Sequence, residues 1–169
     1  MIDNQKVKIA SNNIVSSFAL KHVSRVAGIV GAALLLLMTA GPTSAVQSIT
    51  VHGDVSLTAT ASDFNAGEKQ QLYNNIQWSS DTYWIITVKS LNADLGQSDD
   101  LSYTKPLSDL EWKLSGPASW KSMTTTDATV KLGSAGSGSF NVDYTVLLSW
   151  ANDKKGNYSA TIQYTIAPN

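Results

Sequence analysis

The chain has 169 residues, no cysteine, a formal net charge of −1 and only 15% charged residues. The missing cysteines exclude disulfide staples, thiolate nucleophiles and cysteine-held metals. With a single arginine, at position 25, the chain also lacks the clustered cations that nucleic acid or an anionic lipid surface requires.

The first segment reads as a leader. Lys6, Lys8, Lys21 and Arg25 precede an apolar run from Val26 to Ala40. Gly41 and Pro42 break the run, and Thr43-Ser44-Ala45 supplies small residues for cleavage before Val46. This is the three-part pattern of a secretory signal peptide. The apolar run is shorter than the ~20 residues a spanning helix prefers. A cleaved signal peptide over residues 1–45 is therefore expected ahead of a retained signal anchor, with membrane contact only through an uncleaved leader. Residues 46–169 are then acidic by four, free of arginine, and long enough for one domain with an ordinary core.

Beyond the leader, apolar residues recur with period two, as in half-buried strands. From Ser48 to Ala61, Ile49, Val51, Gly53, Val55, Leu57 and Ala59 alternate with polar residues. This is long for one strand; Gly53 in its middle signals a bulge or a bend, and such a strand can switch between the two sheets of a sandwich. Phe64 to Asn75 is polar and turn-rich, and Ile76-Gln77-Trp78 offers a short strand. Thr82 to Ser90 predicts a central strand with Trp84, Ile86 and Val88 on one face. Asn92 to Lys105 reads as a loop, and Leu110, Trp112 and Leu114 as the apolar side of the next strand. Gly116-Pro117 is a turn signal, with Trp120 and Met123 in a short piece after it. Val130 and Leu132 are expected to point inward, and Gly133 to Ser139 to be a flexible connection.

The last two runs carry the strongest alternation: Phe140, Val142, Tyr144, Val146, Leu148 and Trp150, then Tyr158, Ala160, Ile162, Tyr164 and Ile166. The Asn/Asp/Lys/Gly segment between them predicts an antiparallel hairpin. A hairpin wet on one face needs a second sheet over the other. No window beyond the leader has a helical period. The expected fold is an all-β, immunoglobulin-like antiparallel sandwich of about seven or eight strands over residues 46–169.

The catalytic inventory is thin. His52 is the only histidine outside the leader, so neither a triad nor a histidine-held zinc site is expected. No spacing picks out a carboxylate pair of glycosidase type. Asp94 to Asp100 offers oxygen ligands without the alternate-position spacing of a calcium loop. Asn157-Tyr158-Ser159 is a glycosylation sequon. No cofactor and no enzyme activity are expected. Of five tryptophans, Trp84, Trp112 and Trp150 share a face with aliphatic residues and are expected in the core. Trp78 and Trp120 are the candidates for a surface platform that stacks on sugar rings.

Gly156-Asn157-Tyr158-Ser159-Ala160-Thr161-Ile162-Gln163-Tyr164-Thr165-Ile166 resembles the closing strand of exported bacterial and archaeal surface β-sandwich proteins. It is similar to that of the WxL cell-surface domains of Gram-positive bacteria. Trp84-Ile85-Ile86 stands where those domains carry an internal Trp-x-Leu, and Tyr164-x-Ile166 stands where they end in Trp-x-Leu. A literal Trp112-Lys113-Leu114 lies mid-chain. This resemblance implies association with peptidoglycan or cell-wall polysaccharide.

The plan also resembles fibre-forming pilin and biofilm-matrix subunits, in which an extended N-terminal strand pairs with a neighbouring subunit. Ser48 to Ala61, with Ile49, Val51, Val55 and Leu57, has the length and alternation of such a donor strand. The bland alternative, an ordinary edge strand of its own domain, is expected ahead of it. The expected function is a non-enzymatic, structural or adhesive surface protein that associates with itself or with other surface proteins. A carbohydrate or cell-wall binding module is the alternative.

Overall fold

The computed structural model describes residues 5–13, 45–52 and 55–169. Its regular elements are nearly all strands. In chain order these are β1 (Gln5–Asn13), β2 (Gln47–Val51), β3 (Val55–Ala59), β4 (Glu68–Ser80), β5 (Trp84–Ser90) and β6 (Asp94–Gln97). Then come β7 (Thr104–Pro106), β8 (Leu110–Leu114), β9 (Lys121–Ser122), β10 (Ala128–Gly133), β11 (Gly136–Leu147) and β12 (Asn157–Pro168). One sheet has the order β10-β5-β12-β1-β3, a second has the order β2-β4-β11-β8-β9, and β6 pairs with β7 alone. The inner faces of the two large sheets share one apolar core.

The alternation predicted the inward faces of β5 and β12 correctly. Trp84, Ile86 and Val88 are buried on β5, which lies between β10 and β12. Tyr158, Ala160, Ile162, Tyr164 and Ile166 are buried on β12. The long run near Ser48 does switch sheets: β2 lies on the edge of the second sheet and β3 on the edge of the first. Gly53 and Asp54, where the bend was expected, lie outside the described residues.

Other expectations need correction. β11 and β12 do not form a hairpin, because they belong to different sheets. Their apolar faces meet across the core, so the same alternation serves two facing strands as well as two paired ones. Trp150 is 54% exposed, beyond the end of β11, where its ring leans on Phe64 with centroids 4.6 Å apart. Leu132 is 60% exposed, because the pairing of β10 with β5 shifts between Thr129 and Lys131. The extra residue, Val130, turns inward and reverses the phase of the residues after it.

The Gly133 to Ser139 segment is not simply a connection, since Gly136 to Ser139 begin β11 and pair with Ser80 to Gln77. The polar stretch from Phe64 is also ordered. Residues Ala61–Ala66 form a short helix, α1, opened by a capping box between Thr60 and Asp63 and closed by Gly67 at φ 80°. Glu68 onward runs as β4, and a bulge at Leu72-Tyr73 is pinned by the Tyr73 N–H, which donates to Asp143 Oδ1 at 2.9 Å. β6, β7 and a single 3₁₀ turn, Leu107–Asp109, lie in and beside the region read as one loop.

Candidate functional site: a strand position between β3 and β12

The first sheet is completed from the far N-terminus. Gln5–Asn13, inside the segment read as a leader, runs parallel to β12 and antiparallel to β3. The rest of that segment, residues 1–4 and 14–44, lies outside the described residues. In register, Val7 stands opposite Leu57 on one side and Tyr158 on the other, and Ile9 opposite Val55 and Ala160. Lys6 and Lys8 take the intervening places, opposite Thr58 and Ser56 on β3 and Asn157 and Ser159 on β12.

The walls of this position are apolar toward the core and polar toward solvent. Val55, Leu57 and Ala59 of β3 are buried while Ser56 and Thr58 are exposed. Tyr158 and Ala160 of β12 are buried, with Asn157 and Ser159 exposed. Among the described residues β3 pairs in the sheet with β1 alone, so it reaches β5 and β10 through β1 and β12. Adjacent strands lie about 4.8 Å apart. Taking β1 away would therefore leave β3 and β12 about 9–10 Å apart, each with a bare row of backbone donors and acceptors. A strand entering there gains two hydrogen-bonded ladders, whereas one added to an outer edge gains a single ladder.

The residues singled out as a donor strand lie in the core of their own domain. Ile49 (2% exposed) and Val51 (7%) are on β2, which pairs antiparallel with β4. Val55 and Leu57, at 3% each, form the β3 wall. β2 is further held at its start, where the Val46 N–H donates to Asp81 Oδ1 at 2.9 Å and Gln47 Nε2 donates to Ser80 Oγ at 3.2 Å. Sequence reasoning offered this stretch as a donor strand or an ordinary edge strand, and gave no indication that Gln5–Asn13 takes part in the sheet.

Trp78 and Trp120 are not brought together. Trp78 is on β4 and Trp120 lies between β8 and β9, on opposite sides of β11 in the sheet order. Trp78 is half-buried, its ring tilted against Trp84 at 4.1 Å between centroids. It runs beside Gly138, where a side chain would touch it. Trp120 is half-buried and carries the Lys113 ammonium 4.6 Å over its ring. His52 is exposed at the end of β2.

A second cluster surrounds Lys105, which is fully buried on β7. Its ammonium donates to Asp153 Oδ1 at 2.7 Å, Asp109 Oδ2 at 3.0 Å and the Leu147 carbonyl at 2.9 Å. Three donors meet three acceptors, so the amine has no hydrogen left for a substrate. Asp153 is equally committed, accepting from the Tyr103 hydroxyl at 3.0 Å and the Ser149 N–H at 3.0 Å. An adjoining cavity of about 370 Å³ is lined by Tyr103, Asp109, Leu148 and Asp153 among others. The arrangement fastens the β11–β12 connection to β7 and presents no unpaired acid or base.

In the Asp94 to Asp100 loop, the Asp100 carboxylate accepts from both the hydroxyl and the N–H of Ser102 and from the Ser98 hydroxyl. The serine hydroxyls, Ser98 foremost, hold its carboxyl down at about 2. Asp94 accepts from the Gly96 N–H at 2.9 Å. Among the described residues, no group of three or more His, Asp or Glu side chains is arranged to hold a metal ion. No helix of the described residues is long and apolar enough to cross a membrane. Asn157 of the sequon is exposed and begins β12.

The chain matches no protein-family model, and a search of curated proteins gives no match either.

Proposed function

We propose that the chain is the precursor of a non-enzymatic, exported surface protein, a structural or adhesive subunit that assembles with itself through strand pairing. In this reading a signal peptidase hydrolyses the Ala45–Val46 bond. Residues 46–169 then form an immunoglobulin-like sandwich at the cell surface or outside the cell.

The observation that carries the reading is the strand position between β3 and β12. It is internal to a sheet, yet within the described residues it is filled only by Gln5–Asn13, which lies in the segment read as the leader. A cleaved leader takes that strand away. A retained anchor would hold it across the membrane from the exported domain. Either way the domain is one strand short on its outer side, and an unfilled internal position is a template for another chain.

Two further observations fit. The buried ionic cluster at Lys105 is internally satisfied, as in a structural clamp. The exported portion is acidic and free of arginine, which suits a soluble subunit with no nucleic-acid partner. Binding of cell-wall polysaccharide through Trp78 and Trp120 has less support, because the two rings lie apart and Trp78 packs against Trp84.

The test is to express the full chain in a secreting host and examine the exported protein. Mass spectrometry should give Val46 as the first residue. Size-exclusion chromatography and electron microscopy should show oligomers or fibres that grow with concentration. A strict monomer at high concentration would remove the self-assembly reading.

A further inference from the structure

We infer that the position between β3 and β12 is a binding site for the N-terminal strand Gln47–Val51 of a second copy. Gln5–Ile9 holds its place in the precursor. This rests on the reading of a cleaved leader and a self-assembling domain.

The two segments share one pattern. Gln5-Lys6-Val7-Lys8-Ile9 and Gln47-Ser48-Ile49-Thr50-Val51 each carry glutamine first, then β-branched apolar residues at the third and fifth places with polar residues between. In β1 those two apolar places stand opposite the buried pairs Leu57/Tyr158 and Val55/Ala160. Ile49 and Val51 would supply β-branched side chains at the same two register points. Lys6 and Lys8 stand opposite exposed Thr58, Ser56, Asn157 and Ser159, and Ser48 and Thr50 suit that solvent side as well.

The precursor thus has two such strands and two places for them: the inner position of the first sheet and the β4 edge of the second. The processed chain keeps two places and one strand. On the β4 edge, Gln47–Val51 has one ladder. In the inner position it has two, and the burial that Ile49 and Val51 give up on the β4 edge is regained against β3 and β12 of the second copy. Between copies, this exchange is a head-to-tail contact: one surface gives the strand and a different one receives it. Exchanged reciprocally, such a contact closes a two-fold dimer; passed on from copy to copy, it closes a ring or extends into an open fibre. Its polarity is specified, with the incoming strand parallel to β12 and antiparallel to β3.

The absence of cysteine makes the test direct. In the site Thr50 takes the place of Lys8, opposite Ser159. In its own sheet Thr50 lies opposite Gln77. Both Thr50 and Ser159 are exposed, so cysteines there leave the core intact. The full chain carrying Thr50→Cys and Ser159→Cys is exported, processed, oxidised and run on a non-reducing gel. We expect a ladder of linked copies, and its loss when Ser159→Cys is replaced by Gln163→Cys, four residues out of register. A synthetic peptide of Gln5–Asn13, present during refolding, should shorten the ladder, whereas a scrambled peptide should not.

A disulfide confined to monomers would mean that Gln47–Val51 folds back beside its own β3, and would overturn the assignment to a second copy. Fibres of the Thr50→Cys, Ser159→Cys chain that form without the disulfide, a ladder that survives the register shift, or a ladder indifferent to the peptide would also overturn it, while leaving self-assembly standing. An exported wild-type protein that is only monomeric would instead remove self-assembly itself, and this site with it.

Discussion

The hydroxyls of Tyr144 and Tyr164 lie 2.6 Å apart in the middle of the core, joining β11 of one sheet to β12 of the other. Both side chains are buried, so each hydroxyl depends on its partner in place of water. Replacing either tyrosine with phenylalanine leaves the other hydroxyl without this bond, at a cost of about 1–3 kcal/mol. Replacing both should cost less than the sum of the single changes, because no orphan remains. Urea unfolding of the two single variants and the double variant measures this. Strict additivity would show that the pair is not coupled.

The same burial makes stability fall at alkaline pH. Burial pushes the Tyr158 phenol up to about 12, with the Asp153 charge adding to it. Tyr144 and Tyr164 are also raised by burial, as is Tyr103, where Asp153 contributes as well. A raised phenol stays protonated in the folded state while the unfolded chain releases its proton near the ordinary value of about 10. Above that value the unfolded state binds fewer protons, so stability declines with rising pH. The loss should begin near pH 10 and continue through pH 12. Phenolate absorbance should appear together with loss of strand circular dichroism for these groups. Full ionisation of all six tyrosines in a protein that remains folded would contradict the cause assigned here.

Lys105 offers a sharper contrast between two carboxylates. Asp153 is buried with it, whereas Asp109 is a quarter exposed. Lys105→Met leaves Asp153 charged and buried, and should destabilise by about 3–5 kcal/mol at neutral pH. Asp109→Asn removes a partly solvated partner and should cost about 1 kcal/mol or less. Equal effects from both changes, read from denaturant midpoints, would mean that exposure does not set the weight of these contacts.

What could be read from the sequence was local. Alternation identified the inward faces of β5, β8 and β12, because each is a regular strand with one side in the core. It failed at bulges, where one extra residue reverses the phase: Leu132 faces out after Val130 for this reason. It missed most of β4, whose polar residues pair with β11 by backbone and are, Ser80 apart, exposed or half-buried. The T-x-x-D capping pattern of Thr60 and Asp63 was present as a helix signal, but six residues are too few to show a helical period. The strand position was hidden because pairing between Val7 and Tyr158 links residues with no local relation in the chain. The repeated Gln-x-Val/Ile-x-Ile/Val pattern is visible, yet two apolar residues two apart are common, and only the register of Val7 and Ile9 against Leu57 and Val55 gives it meaning.

The last expectation concerns the fit of Trp84. Its indole N–H donates to the Ser134 carbonyl at 2.7 Å, and its ring lies over Gly133. A methyl group built on Gly133 would sit 2.7 Å from Trp84 Cζ2 and 3.0 Å from Cε2. The ring is 1% exposed and packed at a tilt against Trp78, so it has little room to yield. Gly133→Ala should therefore destabilise by about 1–3 kcal/mol, as overpacking does. Gly138→Ala is the matched comparison: its methyl would meet Trp78 Cζ2 at 3.4 Å, an ordinary contact with a ring that is half-exposed and can shift. Denaturant midpoints of the two variants should differ, with Gly133→Ala lower and its tryptophan fluorescence altered in the folded state. A Gly133→Ala protein as stable as the wild type would mean that the indole is not held against β10 as described.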